Sequence, residues 1–315
     1  REGFAIRPDA EFTSEANPGT LTTEWLDVLH NAGMNRLSLG VQAIQPHLLK
    51  ALGRIHDFAH AREAMALARA QGINNISADA MFGLPEQTMA EYGDTLRALA
   101  GEGVTHISAY ALIVEEGTPL HARVQRGEAV PASDDVAADM LDAGIDLLEG
   151  LGYKRYEISN FAREGFLCRH NMGYWRQKHY LGLGVSAAGL LPSNGADEVG
   201  GADVAYLRRS NTVDVQTYTA ALLQGLDVPA EVTPVTRHEA MFETVMLGLR
   251  TVSGVRFADF CTMHGQKLET VYGDAVASLH RQGLMDEAAF AEGRLALNRR
   301  GLAVQNTALM PFLQG

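Results

Sequence analysis

The first 110 residues alternate between short apolar runs and stretches with helical spacing, and this alternation constrains the fold more than any other feature. Glu11–Glu15, Arg36–Val41, Asn75–Met81 and Thr105–Tyr110 read as strands. Thr23–Ala32, Pro46–Ala51, Phe58–Gln71 and Thr88–Ala100 read as the helices between and after them, with Thr22 or Thr23 as an N-cap and Gly33 and Gly72 closing two helices. Strands separated by such helices imply parallel βαβ units with right-handed crossovers. Four strands are too few to close a barrel, because even small closed barrels need about eight. The sheet is therefore expected to be open or incomplete.

Polar residues stand where these apolar runs end. Glu15 precedes Pro18-Gly19, Gln42 follows Leu39-Gly40-Val41, and Asp79 interrupts an apolar strand ahead of Gly83-Leu84-Pro85. Arg54 lies in the segment Leu52-Gly-Arg-Ile-His-Asp57. The C-terminal ends of parallel strands are where ligand groups converge in β/α folds. A carboxylate accepts hydrogen bonds from vicinal hydroxyls, an amide both donates and accepts, and a guanidinium pairs bidentately with a carboxylate. Together these groups suit a zwitterionic ligand that carries a ribose. A bland alternative stays open on spacing alone, with Asp79 capping a neighbouring helix and Arg54 on the solvated face.

The rhythm breaks after Tyr110. Ile113–Gly127 reads as a loop with a short helical piece, Ser133 caps a helix to about Gly150, Tyr153–Ile158 is strand-like, and Tyr180–Leu191 reads as a buried strand. Asp214–Gln224 is a further helix. Pro229–Thr236, with two prolines, reads as a linker. Beyond it, helices over Arg237–Arg250, Phe257–Met263 and Lys267–Gln282 precede a hairpin containing Arg294–Asn298, a winged-helix-like order. The domain division expected is 1–115, an α+β extension over 116–229, and a winged-helix-like domain over 230–315.

Charge and cysteine usage narrow the function. The chain of 315 residues has a formal net charge of −12. That balance argues against nucleic acid as a partner, because phosphate neutralisation needs a basic footprint. No apolar run is long enough for a transmembrane helix, which leaves only peripheral membrane contact open, and no signal-peptide core is visible. Two cysteines, Cys168 and Cys261, exclude a disulfide framework and fit a reducing, cytoplasmic setting. Cys261 reads as a small buried hydrophobe. The remaining histidines show no metal spacing, and Gly182-Leu-Gly184 lacks the Lys and Ser/Thr of a phosphate loop.

A second constellation is Cys168-Arg-His170-Asn-Met-Gly-Tyr174-Trp175. Haem iron is held by His, Cys or Tyr, and aromatic rings stack on macrocycles. On the residues alone a packing role is favoured, with His170 satisfying a buried backbone group and both aromatics in a core.

The segments Glu15-Ala-Asn-Pro-Gly-Thr20, Arg36-Leu-Ser-Leu-Gly-Val-Gln42, Leu52-Gly-Arg-Ile-His-Asp57 and Phe82-Gly-Leu-Pro-Glu-Gln-Thr88 resemble the radical S-adenosylmethionine (SAM) enzymes of the oxygen-independent coproporphyrinogen oxidase group. The resemblance runs in order over nearly the whole chain. It implies an α/β fold, a partial (β/α)6-type barrel lacking its first βα units. It also implies that Glu15, Gln42, Arg54 and Asp79 line a SAM site. Arg54 would hold the methionyl carboxylate, Glu15 or Asp79 the ribose hydroxyls, and Ile113 would contact the adenine. Ala80-Met81 departs from the family's larger aliphatics.

The larger departure is the [4Fe–4S] cluster. The Cys-x3-Cys-x2-Cys motif and Gly-Gly-Gly-Thr-Pro turn of the family are absent, so cluster ligands would lie outside this sequence and an N-terminal truncation is the expectation. His170-Asn-x-x-Tyr174-Trp175 resembles the heme-chaperone branch of the group. This implies heme as a cofactor, heme-accepting hemoproteins as partners, and His170, then Cys168, as candidate ligands with Tyr174 and Trp175 stacking. The alternative activity is oxidative decarboxylation of coproporphyrinogen III.

Overall fold

The computed structural model describes residues 5–193 and 203–314. The backbone forms two compact units, residues 1–169 and 170–315.

The first unit is built on a six-stranded mixed sheet. Strands β1 (Thr13–Ala16), β2 (Arg36–Gln42), β3 (Asn75–Phe82) and β4 (His106–Ala111) are parallel and neighbours in chain order. Helices α1 (Thr23–Asn31), α2 (Pro46–Ala51), α3 (Phe58–Ala70) and α4 (Met89–Gly101) make the connections. After α5 (Pro119–Gln125) and α6 (Asp134–Gly150), two short strands extend the sheet beyond β4. These are β5 (Lys154–Arg155) and β6 (Asn160–Ala162); β6 runs antiparallel to β4 and β5 antiparallel to β6. The order β1-β2-β3-β4-β6-β5 leaves the sheet open at β1 and β5 among the described residues. Tyr153–Ile158 thus supplies only a two-residue edge strand. Arg155 instead folds back to donate to the carbonyl oxygens of Glu157 and Ile158, which shapes the β5–β6 turn.

Side-chain alternation divides the sheet's two faces. Leu37, Leu39, Val41, Ile76, Ala78, Ala80 and Ile107 point to the helices and are almost wholly buried, with Leu26, Met65, Leu96, Ile145 and Leu148 packed over them. Burial of this apolar layer drives the fold at about 25 cal/mol per Å² removed from water. The other face carries Glu15, Ser38, Ser77 and His106 in one row of paired positions. Asp79, Ser108 and Asn160 form the next row.

The helix starts follow local chemistry. Thr22, Thr88 and Ser133 accept from the third backbone amide beyond them, and Thr88 with Glu91 closes a capping box.

The second unit opens with α7 (Arg169–Trp175), whose first residue belongs to the first unit. It continues through a three-stranded antiparallel sheet, β7 (Ala188–Pro192), β8 (Val204–Asn211) and β9 (Ala230–Thr236), with α8 (Val215–Leu223) between β8 and β9. Two expectations are corrected here. Of Tyr180–Leu191, only the last residues form a strand; Leu181 and Leu183 are exposed, and Tyr180 makes an isolated bridge to Leu190. The glycines let the chain double back instead. A Cβ on Gly182 would stand 2.2 Å from the carbonyl oxygen of Ala188, so this backbone approach admits no side chain. Pro229–Thr236 is not a linker, because Ala230–Thr236 is the edge strand β9. Proline is tolerated at an edge, where no further ladder needs its missing N–H.

Beyond β9 come α9 (Arg237–Gly248), β10 (Val255–Arg256), α10 (Phe257–His264), α11 (Leu268–Arg281), α12 (Glu287–Ala291) and β11 (Arg294–Leu295). Two short helices, α13 (Arg299–Ala303) and α14 (Gln305–Leu309), follow. The winged-helix-like order is present, but β11 pairs antiparallel with β10 rather than with a strand just before it, and Met285 bridges Leu297. Cys261 is exposed, contrary to its expected burial, because the neighbouring Phe260 occupies the inward side of α10. Among the described residues no helix is long and apolar enough to cross a membrane.

Candidate functional site

The C-terminal ends of β1, β2 and β3 bring polar groups to one place. Arg54 Nη1 donates to Asn17 Oδ1 at 2.6 Å across 37 residues of sequence. Gln42 reaches the same place by a distortion of β2. Its φ is +70°, and the β2–β3 register slips between Leu39 and Gln42. A non-glycine residue in this left-handed region costs about 1–2 kcal/mol. Gly40 makes room, since a Cβ there would lie 3.0 Å from Gln42 Nε2 and 3.5 Å from Asn17 Oδ1. Asn17, Gly40, Gln42 and Arg54 therefore form one cluster.

Two anchored loops hold it. His56, buried behind Arg54, contacts the carbonyl oxygen of Val41 at 3.4 Å, and Asp57 caps α3 through the backbone N–H of His60. After β3, Gln87 donates to the carbonyl of Met81 at 3.0 Å and accepts from the amide of Leu84 at 3.2 Å, clamping the Gly83-Leu-Pro85 turn.

Asp79 and Glu15 supply the negative charge. Asp79 is half-buried and its carboxyl is pushed up to about 6, first by loss of solvent and also by Glu15, against a hydrogen bond from Ser108 and the charges of Arg36 and Arg54. Burial likewise raises the Tyr110 hydroxyl, helped by Asp79. Glu15 is exposed, and Ile113 lies two residues past β4 with 77% of its surface exposed. Deeper in the sheet Ser77 Oγ meets His106 Nδ1 at 2.8 Å and His106 Nε2 meets Tyr156 Oη at 2.9 Å. Desolvation, with Arg36 nearby, pushes His106 down to about 3, so this floor is neutral at physiological pH.

The 168–175 segment divides differently. Cys168, in the first unit, is buried and its thiol faces Glu11 Oε1 at 3.7 Å. In the second unit His170 is exposed rather than buried and meets Tyr174 edge-on at 4.7 Å, and Tyr174 meets Tyr180 in the same manner at 4.8 Å. Trp175 is half-buried beneath the Arg250 guanidinium, 4.6 Å from its ring centroid, and its indole N–H is buried without a partner.

Comparison with known proteins identifies the kind of molecule that carries these features. The Radical SAM superfamily profile matches residues 2–99 and the HemN C-terminal domain profile residues 235–304. The Heme chaperone HemW of Bacillus subtilis is 32% identical over 304 residues, covering 96% of this chain and 76% of that protein. The chain belongs to the HemW family of the radical SAM superfamily. A mitochondrial relative from Bos taurus, Radical S-adenosyl methionine domain-containing protein 1, is 33% identical over 97% of this chain and 68% of its own length. Coproporphyrinogen III oxidase (HemN) from Escherichia coli, described as a radical SAM enzyme, shares the fold with a TM-score of 0.76 at 21% identity, over 99% of this chain and 71% of that one.

The superfamily implies SAM and a [4Fe–4S] cluster. The donor set at the strand ends fits a zwitterion bearing vicinal hydroxyls. A cluster does not fit the described residues of this HemW-family chain, because no group of three or more His, Cys, Asp or Glu side chains stands within reach of one metal. Sequence reasoning missed Asn17, Ser108 and Tyr110 at the site. Asn17 lies inside the quoted Glu15-Ala-Asn17 segment, and Ser108 and Tyr110 lie on the same face of β4, so strand alternation was the available signal.

Proposed function

We propose that this chain is a SAM-binding heme chaperone that passes heme to acceptor hemoproteins in the cytoplasm. The observation that carries the SAM half is the convergence of Asn17, Gln42 and Arg54 beside the Asp79–Glu15 acid pair. Arg54, oriented by Asn17, holds the methionyl carboxylate. Asp79 and Glu15 accept from the ribose hydroxyls, Gln42 donates and accepts at the ligand's edge, and Ile113 offers an exposed apolar surface to the adenine. The heme half rests on the relatives' name and on the His170–Tyr174–Tyr180 aromatic ladder. In this reading His170 ligates iron while Tyr174 and Trp175 flank the macrocycle, and Cys168 is the weaker candidate because its thiol is buried against Glu11.

Chemistry from the cluster would be supplied by residues other than those described. The test is a hemin titration of the full chain beside a His170→Ala variant, followed in the Soret region. Loss or displacement of the band in the variant supports His170 as ligand, and an unchanged band removes it. Anaerobic conversion of coproporphyrinogen III to protoporphyrinogen would contradict the chaperone reading.

A further inference from the structure

The second unit contains a cavity of about 570 Å³ that none of the roles above uses. Ligand pockets for small organic molecules span roughly 300–1,000 Å³. Arg176, Lys178 and Arg237 line it, and among the described residues no aspartate or glutamate does. That is notable in a chain with 38 acidic against 26 basic residues. All three cations are exposed, and none has an ion pair among the described residues. An adjoining cavity of about 330 Å³ shares Gln177 and Lys178 as a wall and is lined by Tyr174 and Tyr180 of the aromatic ladder. Its one acid, Glu243, is already paired with Arg208 at 2.8 Å.

The cavity's other donors point to a particular class of anion. His179 and His264, with Met241 and Met263, line the same space and give it ring and thioether surface for a flat macrocycle. His264 is positioned by a hydrogen bond. Thr244 Oγ1 lies 2.9 Å from His264 Nε2 and also within reach of Ala240 O and Gln177 Oε1.

We infer that this cavity is a carboxylate-recognising seat for a tetrapyrrole, in which Arg176, Lys178 and Arg237 receive the propionates. The inference rests on the heme reading above and adds a location for the macrocycle's anionic edge, on the segment directly after the His170–Trp175 motif. Guanidinium groups pair bidentately with carboxylates, and lysine adds a point charge.

The test compares hemin with hemin dimethyl ester, whose propionates carry no charge, by Soret titration of the full chain at low and high salt. The unaltered chain should prefer hemin by about tenfold or more, about 1.4 kcal/mol, with the preference shrinking at high salt. The triple variant Arg176→Gln, Lys178→Gln, Arg237→Gln should lose the preference while keeping its ester affinity. The charge-retaining triple Arg176→Lys, Lys178→Arg, Arg237→Lys should recover it. Equal binding of hemin and ester by the unaltered chain, or a preference retained by the neutral triple, overturns the cavity assignment and leaves heme binding standing. Absence of a Soret change with either probe overturns the heme reading and the cavity assignment together.

Discussion

At the scale of single residues, the strand-end site is held in a conformation less stable than the fold alone would choose. Asp79 is the main case. Its carboxyl, raised from 3.8 to about 6, binds protons more tightly folded than unfolded. Between those values the native state holds the extra proton, so stability falls as pH rises through the window. Asp79→Asn should therefore stabilise the chain by about 1–3 kcal/mol at pH above 7, with the gain vanishing toward pH 4. Urea denaturation of both proteins across that range checks this, and a variant less stable than wild type at high pH contradicts it. Gly40 gives a second prediction. A methyl group there would push the Gln42 amide away from Asn17. Gly40→Ala should weaken SAM binding by about tenfold while the thermal midpoint moves by only a few degrees. Calorimetric titration beside a thermal melt separates the two effects.

At the scale of elements, packing between α4 and α6 offers a test of how tightly the first unit is built. Gly144 on α6 faces Tyr92 on α4 so closely that a Cβ would fall 2.6 Å from the phenol oxygen. The Tyr92 hydroxyl is itself buried without a partner. Gly144→Ala should thus destabilise by about 1–3 kcal/mol through overpacking, although alanine is the better helix former by about 1 kcal/mol. Tyr92→Phe should recover part of the loss by removing the clashing, unsatisfied oxygen. A double-mutant cycle by chemical denaturation measures the coupling, and simple additivity would contradict the contact.

The same scale explains what was legible in the sequence. The parallel βα order, the Thr22 and Ser133 caps and the polar strand ends were readable because each is set within a few residues. The Asn17–Arg54 hydrogen bond was not, because it joins loops 37 residues apart. Nor was β9, whose two prolines imitate a linker until the edge position of the strand is known. The Gln42 distortion depends on register with β3 and leaves no mark on composition. At the 168–175 motif the residue types suited a packed core or a ligand site alike, and only the fold separates a buried Cys168 from an exposed His170.

At the scale of the whole molecule, a mixed open sheet presents its polar rows in one unit, and a cavity lined by three cations lies in the other. With only Cys168 and Cys261 for thiolates, anaerobic treatment with iron and sulfide should leave this chain without the visible absorption of a [4Fe–4S] cluster, and stable cluster uptake would contradict that expectation. SAM binding should consequently be weak and depend most on the charges of Arg54 and Asp79. Ligand-observed NMR of SAM with the full chain, recorded from pH 5 to pH 8 beside Arg54→Ala and Asp79→Asn, tests this most directly. The account predicts binding that strengthens as pH rises through about 6, where the Asp79 carboxylate forms, and that is lost in both variants. Binding that is indifferent to pH and survives either substitution would contradict it.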